Sequence, residues 1–219
     1  MMSVCPYRME AIALPEHVDA QQMWEERYGE SERIWSGRPN ARLVEVVSDL
    51  LPGRALDLGC GEGGDTVWLA KRGWQVLAVD IANAALQRAA DLAGELLERI
   101  EFQQHDLMAT FPEGEFDLVS AHFLHSPFEW DRDGLMRRAA AAVAPGGTLL
   151  VVDHGAAPPW AEGHQHHVFQ TADEVVEGMA LEDSQWDRVR VEAAEREGEA
   201  PDGRVGTLID NVIVLRRKG

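Results

Sequence analysis

The chain has 219 residues, 45% hydrophobic and 26% charged, which suits one globular domain with a substantial core. No apolar run approaches the roughly 20 residues that span a membrane, Met1 to Leu14 lacks the apolar stretch of a secretion signal, and two cysteines, Cys5 and Cys60, suggest no disulfide framework; no membrane partner and cytoplasmic residence are the expectations. A net charge of −18 repels a phosphate backbone and no basic stripe offsets it, so no nucleic-acid partner is expected.

Residues 1–15 show no period, carry Pro6 and Pro15, and read as a flexible arm ahead of a single domain over 16–219. From Glu16 to about Ile34 the spacing predicts a helix. Trp24 and Tyr28 share its face, and Trp35 returns to that face if the helix continues. An aromatic stripe serves either core packing or a ligand. Trp35-Ser-Gly-Arg-Pro-Asn40 breaks the helix, and Arg38 on that turn suits either solvent or a forked grip on a carboxylate. A second helix is expected from Ala41 to Leu51, ended by Pro52-Gly53.

Arg54-Ala-Leu-Asp-Leu then reads as a buried strand, and four of the six residues from 59 to 64 are glycine. Glycines there remove the Cβ atoms that hold a backbone away from a ligand. Asp65 opens the following helix and Gly73 ends it. A strand feeding a helix through such a turn is a small-molecule cradle at the carboxyl end of a parallel sheet. Gly59-x-Gly61-x-x-Gly64 matches a dinucleotide fingerprint, a weak signal alone. Asp57, Gly59, Gly61 and Gly63 match a second pattern, acidic-x-Gly-x-Gly-x-Gly. Asp57-Leu-Gly-Cys-Gly-Glu-Gly resembles motif I of the class I S-adenosylmethionine (SAM)-dependent methyltransferases.

Trp74-Gln-Val-Leu-Ala-Val-Asp80 is a second strand ending in an acid, which suits ribose hydroxyls under either pattern, while Asn83 is available to cap the helix from Asn83 to about Leu97. A third strand, Glu101 to Asp106, also ends in an acid. Phe116 to Ala121 is the fourth strand, followed by His122 and His125. A helix is expected over Leu135–Val143, a turn at Pro145-Gly146-Gly147, and a fifth strand from Thr148 to His154. Residues 155–185 read as an acceptor-side insert, with His164, His166 and His167 in a loop and a short helix capped by Thr171. Trp186–Glu195 and Val205–Leu215 read as an antiparallel hairpin.

The resemblance covers roughly residues 20–217, and in size and ending the chain is similar to the tellurite-resistance methyltransferases and related small bacterial enzymes. It implies an α/β fold: a Rossmann-like, seven-stranded, mostly parallel sheet with an antiparallel C-terminal strand, helices on both faces, and residues 16–52 as a helical lid. It implies SAM as cofactor, with S-adenosylhomocysteine as product. The implied contacts are Trp35, Arg38, Asp57, Gly59, Cys60, Gly61, Gly63, Asp80, Ile81, Asp106, Leu107 and the backbone near Ala121. Transfer is then an in-line displacement to a small-molecule thiol, chalcogen, phenol or amine.

The candidate bases are His122 and His125, at the mouth after the fourth strand; each also suits a satisfied polar rim. Trp24, Tyr28, His154 and His166 are candidate acceptor contacts. The histidine run matches no known metal spacing, so no metal is expected. A non-catalytic SAM-binding protein and a nicotinamide-dependent oxidoreductase stand as alternatives; the hairpin ending argues against the second. No heptad is evident, and a monomer or homodimer is expected.

Overall fold

The computed structural model describes residues 19–30, 33–126, 128, 130–161, 169–200 and 202–219. The N-terminal arm and the run His164 to His167, His166 included, lie outside them. Seven strands form one sheet: β1 (Arg54–Leu58), β2 (Gln75–Asp80), β3 (Ile100–Gln104), β4 (Phe116–His122), β5 (Val143–His154), β6 (Trp186–Glu199) and β7 (Val205–Arg217). Their order is β3-β2-β1-β4-β5-β7-β6. The first five are parallel, and β7 runs antiparallel between β5 and β6. The Rossmann-like fold expected from the sequence is therefore present.

The strands are apolar on both faces because helices cover both. Alternation divides their side chains between two cores. Leu56, Leu58, Val119, Ala121, Leu149 and Val151 pack with α5 (Arg132–Ala141) and α6 (Ala172–Met179). Ala55, Leu118, Leu150 and Val152 pack with α2 (Ala41–Val47), α3 (Gly64–Lys71) and α4 (Asn83–Ala93). Each fully buried leucine contributes about 1.5–3 kcal/mol, so both cores hold the strand ends rigidly. Strand order reverses between β1 and β4, and a crevice opens at their carboxyl ends, where such sheets bind ligands.

Several element boundaries differ from the sequence reading. The first helix, α1, spans only Ala20–Gly29, with Asp19 capping it through the Gln22 N–H at 2.7 Å. Its early end frees the backbone at Ile34 and Trp35 for a distant carboxylate. α2 stops at Val47, and α5 begins at Arg132, capped by Asp131. Asn83 does not cap α4. Ala82 holds that position, and the N–H groups of Asn83 and Ala84 donate to Glu25 of α1 at 2.7 and 3.0 Å. Pro145 to Gly147 lie within β5 as an irregularity between the pairs Phe116–Val143 and Leu118–Thr148. Thr171 caps α6 reciprocally with Glu174, as the sequence suggests. Among the described residues, no helix is long and apolar enough to cross a membrane.

Candidate active site

The turn after β1 is tied to β2: the N–H groups of Gly59 and Cys60 both donate to the Val79 carbonyl at 2.9 Å. Gly59, Gly61 and Gly63 have φ of +70°, +52° and +83°, which favour glycine. The turn forms one wall of a cavity of about 740 Å³, within the range of small-molecule sites. Gly61 lies beneath Trp35 and Tyr28; a Cβ there would sit 3.3 Å from Trp35 Nε1 and Tyr28 Oη. Those two side chains are joined to each other at 3.1 Å.

Asp80, at the end of β2, faces the same cavity. Its Oδ2 accepts from the Gly61 N–H at 2.9 Å and its Oδ1 from the Ala82 N–H at 3.0 Å. Burial raises its pKa, and the N–H groups of Ala82, Gly61 and Ile81 pull back toward the ionised form. Each carboxylate oxygen keeps a lone pair for a further donor. Ile81, Asp106 and Leu107 continue this wall. Arg38, on the turn before α2, lines the same cavity, and among the described residues its guanidinium has no hydrogen-bond or ion-pair partner. Gly64 brings that turn close, since a Cβ there would meet the Arg38 carbonyl oxygen at 2.7 Å.

The far end of the cavity carries His122, Phe123, Leu124, His125 and Trp130. His122 Nδ1 lies 2.7 Å from Asp65 Oδ2, in the first turn of α3. A carboxylate only accepts, so Nδ1 carries the proton. The His122 side chain is 5% exposed, and its Nε2 is buried with no hydrogen-bond partner among the described residues. Burial pulls its pKa down, but the charges of Asp65, then Asp57 and Asp153, more than offset this and leave it raised. The second oxygen of Asp65 accepts from the Asn40 N–H at 2.5 Å.

Of the residues singled out in the sequence, the cavity gathers Trp24, Tyr28, Trp35, Arg38, Gly59, Cys60, Gly61, Asp80, Ile81, Asp106, Leu107, His122 and His125. Four others stand outside it. Asp57 faces the α3 side of the sheet, where its Oδ2 accepts from Thr66 Oγ1 at 2.6 Å; it supports the turn from beneath. Burial, with Asp65 nearby, holds its carboxyl above the usual range. Gly63 packs α3 on α4, its absent Cβ 2.8 Å from that of Ala89. Ala121 is fully buried in the core shared with α5. His154 stacks on Phe123 and His125, ring centroids 4.4 and 5.3 Å apart, and burial, then His125 and Arg196, lower its pKa to about 3.

Sequence reasoning passed over three residues. Glu62, inside the glycine turn, accepts from the Trp35 N–H at 2.8 Å and the Ile34 N–H at 3.1 Å and pairs with Arg88 at 2.6 Å. Asp65, a helix opener by its place in the sequence, also holds His122. Arg196, whose Nε donates to Asp210 at 2.7 Å, reaches the cavity from β6. An acid among glycines is the one local signal for Glu62; the others depend on partners far away in the chain.

The family described as a methyltransferase domain matches residues 55–147, which hold the turn, Asp80 and β4. The chain is 33% identical over 137 residues to 2-heptyl-1-hydroxyquinolin-4(1H)-one methyltransferase of Mycobacteroides abscessus, covering 59% of this chain and 60% of that protein. It is 30% identical over 169 residues to thiocyanate methyltransferase 1 of Brassica oleracea, covering 72% of this chain and 74% of that one. Its fold is similar to that of TehB from Haemophilus influenzae, with a TM-score of 0.62 at 17% identity over 92% of this chain and 68% of that one. A glycine-lined turn, an acid across from it and this strand order thus coincide with sequence kinship: the chain belongs to the class I SAM-dependent methyltransferases.

Proposed function

We propose that the protein transfers a methyl group to a small-molecule acceptor held at the His122 and His125 end of the cavity. Bound in the cradle, SAM supplies a methyl group activated by its sulfonium. The residues present fit that group. Asp80 has the acceptor capacity for both ribose hydroxyls; Ile81, Asp106 and Leu107 flank the space an adenine needs; the unpartnered Arg38 suits the carboxylate of the methionine end. α1 and residues 33–40 act as a lid, with Trp24, Tyr28 and Trp35 beneath it excluding water. Displacement at carbon needs alignment above all, and alignment alone supplies about 7–11 kcal/mol of barrier reduction. The relatives' names, a hydroxyquinolinone and thiocyanate methyltransferase, support a small acceptor.

The observation that carries this reading is that Gly61, Asp80 and Arg38 line one cavity and that, among the described residues, the Arg38 guanidinium has no partner. The test is calorimetry with S-adenosylhomocysteine. The wild-type chain is expected to bind it, and Asp80→Ala to weaken binding roughly 10- to 100-fold, the loss of hydrogen bonds to a charged group. No heat in the wild-type chain contradicts the reading. Binding without transfer to any of a panel of thiol, phenol, amine and chalcogen acceptors leaves a SAM-binding protein instead.

A further inference from the structure

We propose that His122, oriented by Asp65, is the general base of the transfer, and that the acceptor accordingly presents an acidic hydroxyl on an aromatic or enolic ring. This rests on the methyltransferase reading above and goes beyond it by naming the acceptor class.

The arrangement is specific. Asp65 is fixed twice, by the Asn40 N–H and by His122 Nδ1, so it holds the imidazole in one tautomer with the lone pair on Nε2. That nitrogen is buried without a partner at a cavity wall. A buried polar atom left unsatisfied is unfavourable, and a bound hydroxyl relieves this by donating to it. A thiolate or other acceptor that arrives without a proton makes no such use of the nitrogen.

The surrounding charges argue against an ammonium acceptor. The carboxylates near His122 are engaged: Asp57 of β1 by Thr66 and Ser120, Asp65 of α3 by His122 and Asn40, Asp153 of β5 by Arg132 of α5 at 2.5 Å. Asp210 of β7 is shared by Arg42 and Arg196. Glu197, exposed, adds a further acid from β6 and Arg196 beside it a cation; Glu62 is paired with Arg88, Asp80 and Asp106 belong to the cradle wall, and His125 and His154 stack on each other after β4 and β5. The nearer wall, Phe123, Leu124 and Trp130, suits a planar apolar body.

The step balances. The acceptor oxygen forms a bond to the methyl carbon, the carbon–sulfur bond breaks with its pair going to sulfur, and the hydroxyl proton passes to Nε2. His122 becomes an imidazolium paired with Asp65 and returns the proton to solvent as product leaves. A base so placed contributes about 10²–10⁴-fold in rate. Asp65 acts through His122 and is a positioning residue.

The test uses the full chain, SAM, and substituted phenols and naphthols of graded acidity, with thiophenol and benzylamine as comparators. The hydroxyl compounds are expected to be methylated. His122→Asn is expected to lower kcat/KM about 100-fold or more for weakly acidic phenols and far less for nitrophenols already ionised, while S-adenosylhomocysteine affinity stays within about threefold. In Asp65→Asn, the acidic limb of the rate profile and the imidazole titration of His122 followed by NMR are both expected to move to lower pH; Asp65→Glu is expected to restore much of the shift. Equal losses across the acidity series, an unmoved titration in Asp65→Asn, methylation confined to the thiol or amine, or no methylation of any hydroxyl overturns the proposal. Failure of the wild-type chain to bind S-adenosylhomocysteine overturns the methyltransferase reading, and the base with it.

Discussion

The glycines of the turn show how one residue type serves different ends. Gly61 opens onto the cavity under Trp35 and Tyr28, whereas Gly63 faces Ala89 on α4 and lets two helices meet. Gly63→Ala adds a Cβ at a positive φ against a neighbour with no room to give, and is expected to cost about 1–3 kcal/mol in denaturant unfolding. Its effect on S-adenosylhomocysteine affinity is expected to be small; a loss of affinity at unchanged stability argues that Gly63 is a contact. The spacing of the glycines marked this stretch from the sequence alone, because strand, turn and helix signals are local. Which glycine meets a ligand and which meets a helix depends on Ala89, and no spacing within the motif contains that. The same holds for Asp57, whose side chain alternates away from the face that Leu56 and Leu58 share.

At the scale of elements, α1 is held down by acids reaching across the chain. Glu25 of α1 caps α4, and Glu62 in the turn gathers the Ile34 and Trp35 N–H groups and Arg88, which also donates to the Tyr28 carbonyl. The Glu62 side chain is 3% exposed, so these bonds are shielded from water and strengthened by it. Glu62→Ala removes the acceptor of two N–H groups and one acceptor of the partly buried Arg88 guanidinium. Amide exchange is then expected to rise at least tenfold over residues 20–30 and 33–40 and not in the strands, with S-adenosylhomocysteine binding weakened about tenfold. Unchanged exchange over that segment contradicts the clamp. The sequence showed the helix by its aromatic period but carried it too far at its C-terminal end, since the pull that extends the chain at Ile34 comes from a carboxylate 28 residues on. The strands and the hairpin were legible because apolar runs, Pro and Gly punctuate them, whereas the antiparallel last strand's place in the sheet came with the family resemblance; the Pro145–Gly147 stretch was misplaced because the same residues serve a turn or a bulge.

Over the whole molecule, His154 and His122 give stability opposite dependences on pH. His154 has its pKa lowered from 6.5 to about 3, so the unfolded chain binds its proton first and stability is lost as pH falls below about 6.5. The slope is about 1.4 kcal/mol per unit, or about 2 kcal/mol between pH 6.5 and 5. His154→Leu is expected to flatten that slope in thermal melts, and an unchanged slope contradicts the assignment. His122 is raised above 6.5, so its contribution is complete below that pH and fades as pH rises through the folded value. Maximum stability is therefore expected near neutrality. Both imidazoles lie at the carboxyl edge of the sheet, where the fold places its cavity. A crystal structure of the chain with S-adenosylhomocysteine tests the central claim most directly: the ribose is expected on Asp80, the adenine against Ile81 and Leu107, and the sulfur toward His122. Ligand bound elsewhere, or a ribose that leaves Asp80 untouched, contradicts it.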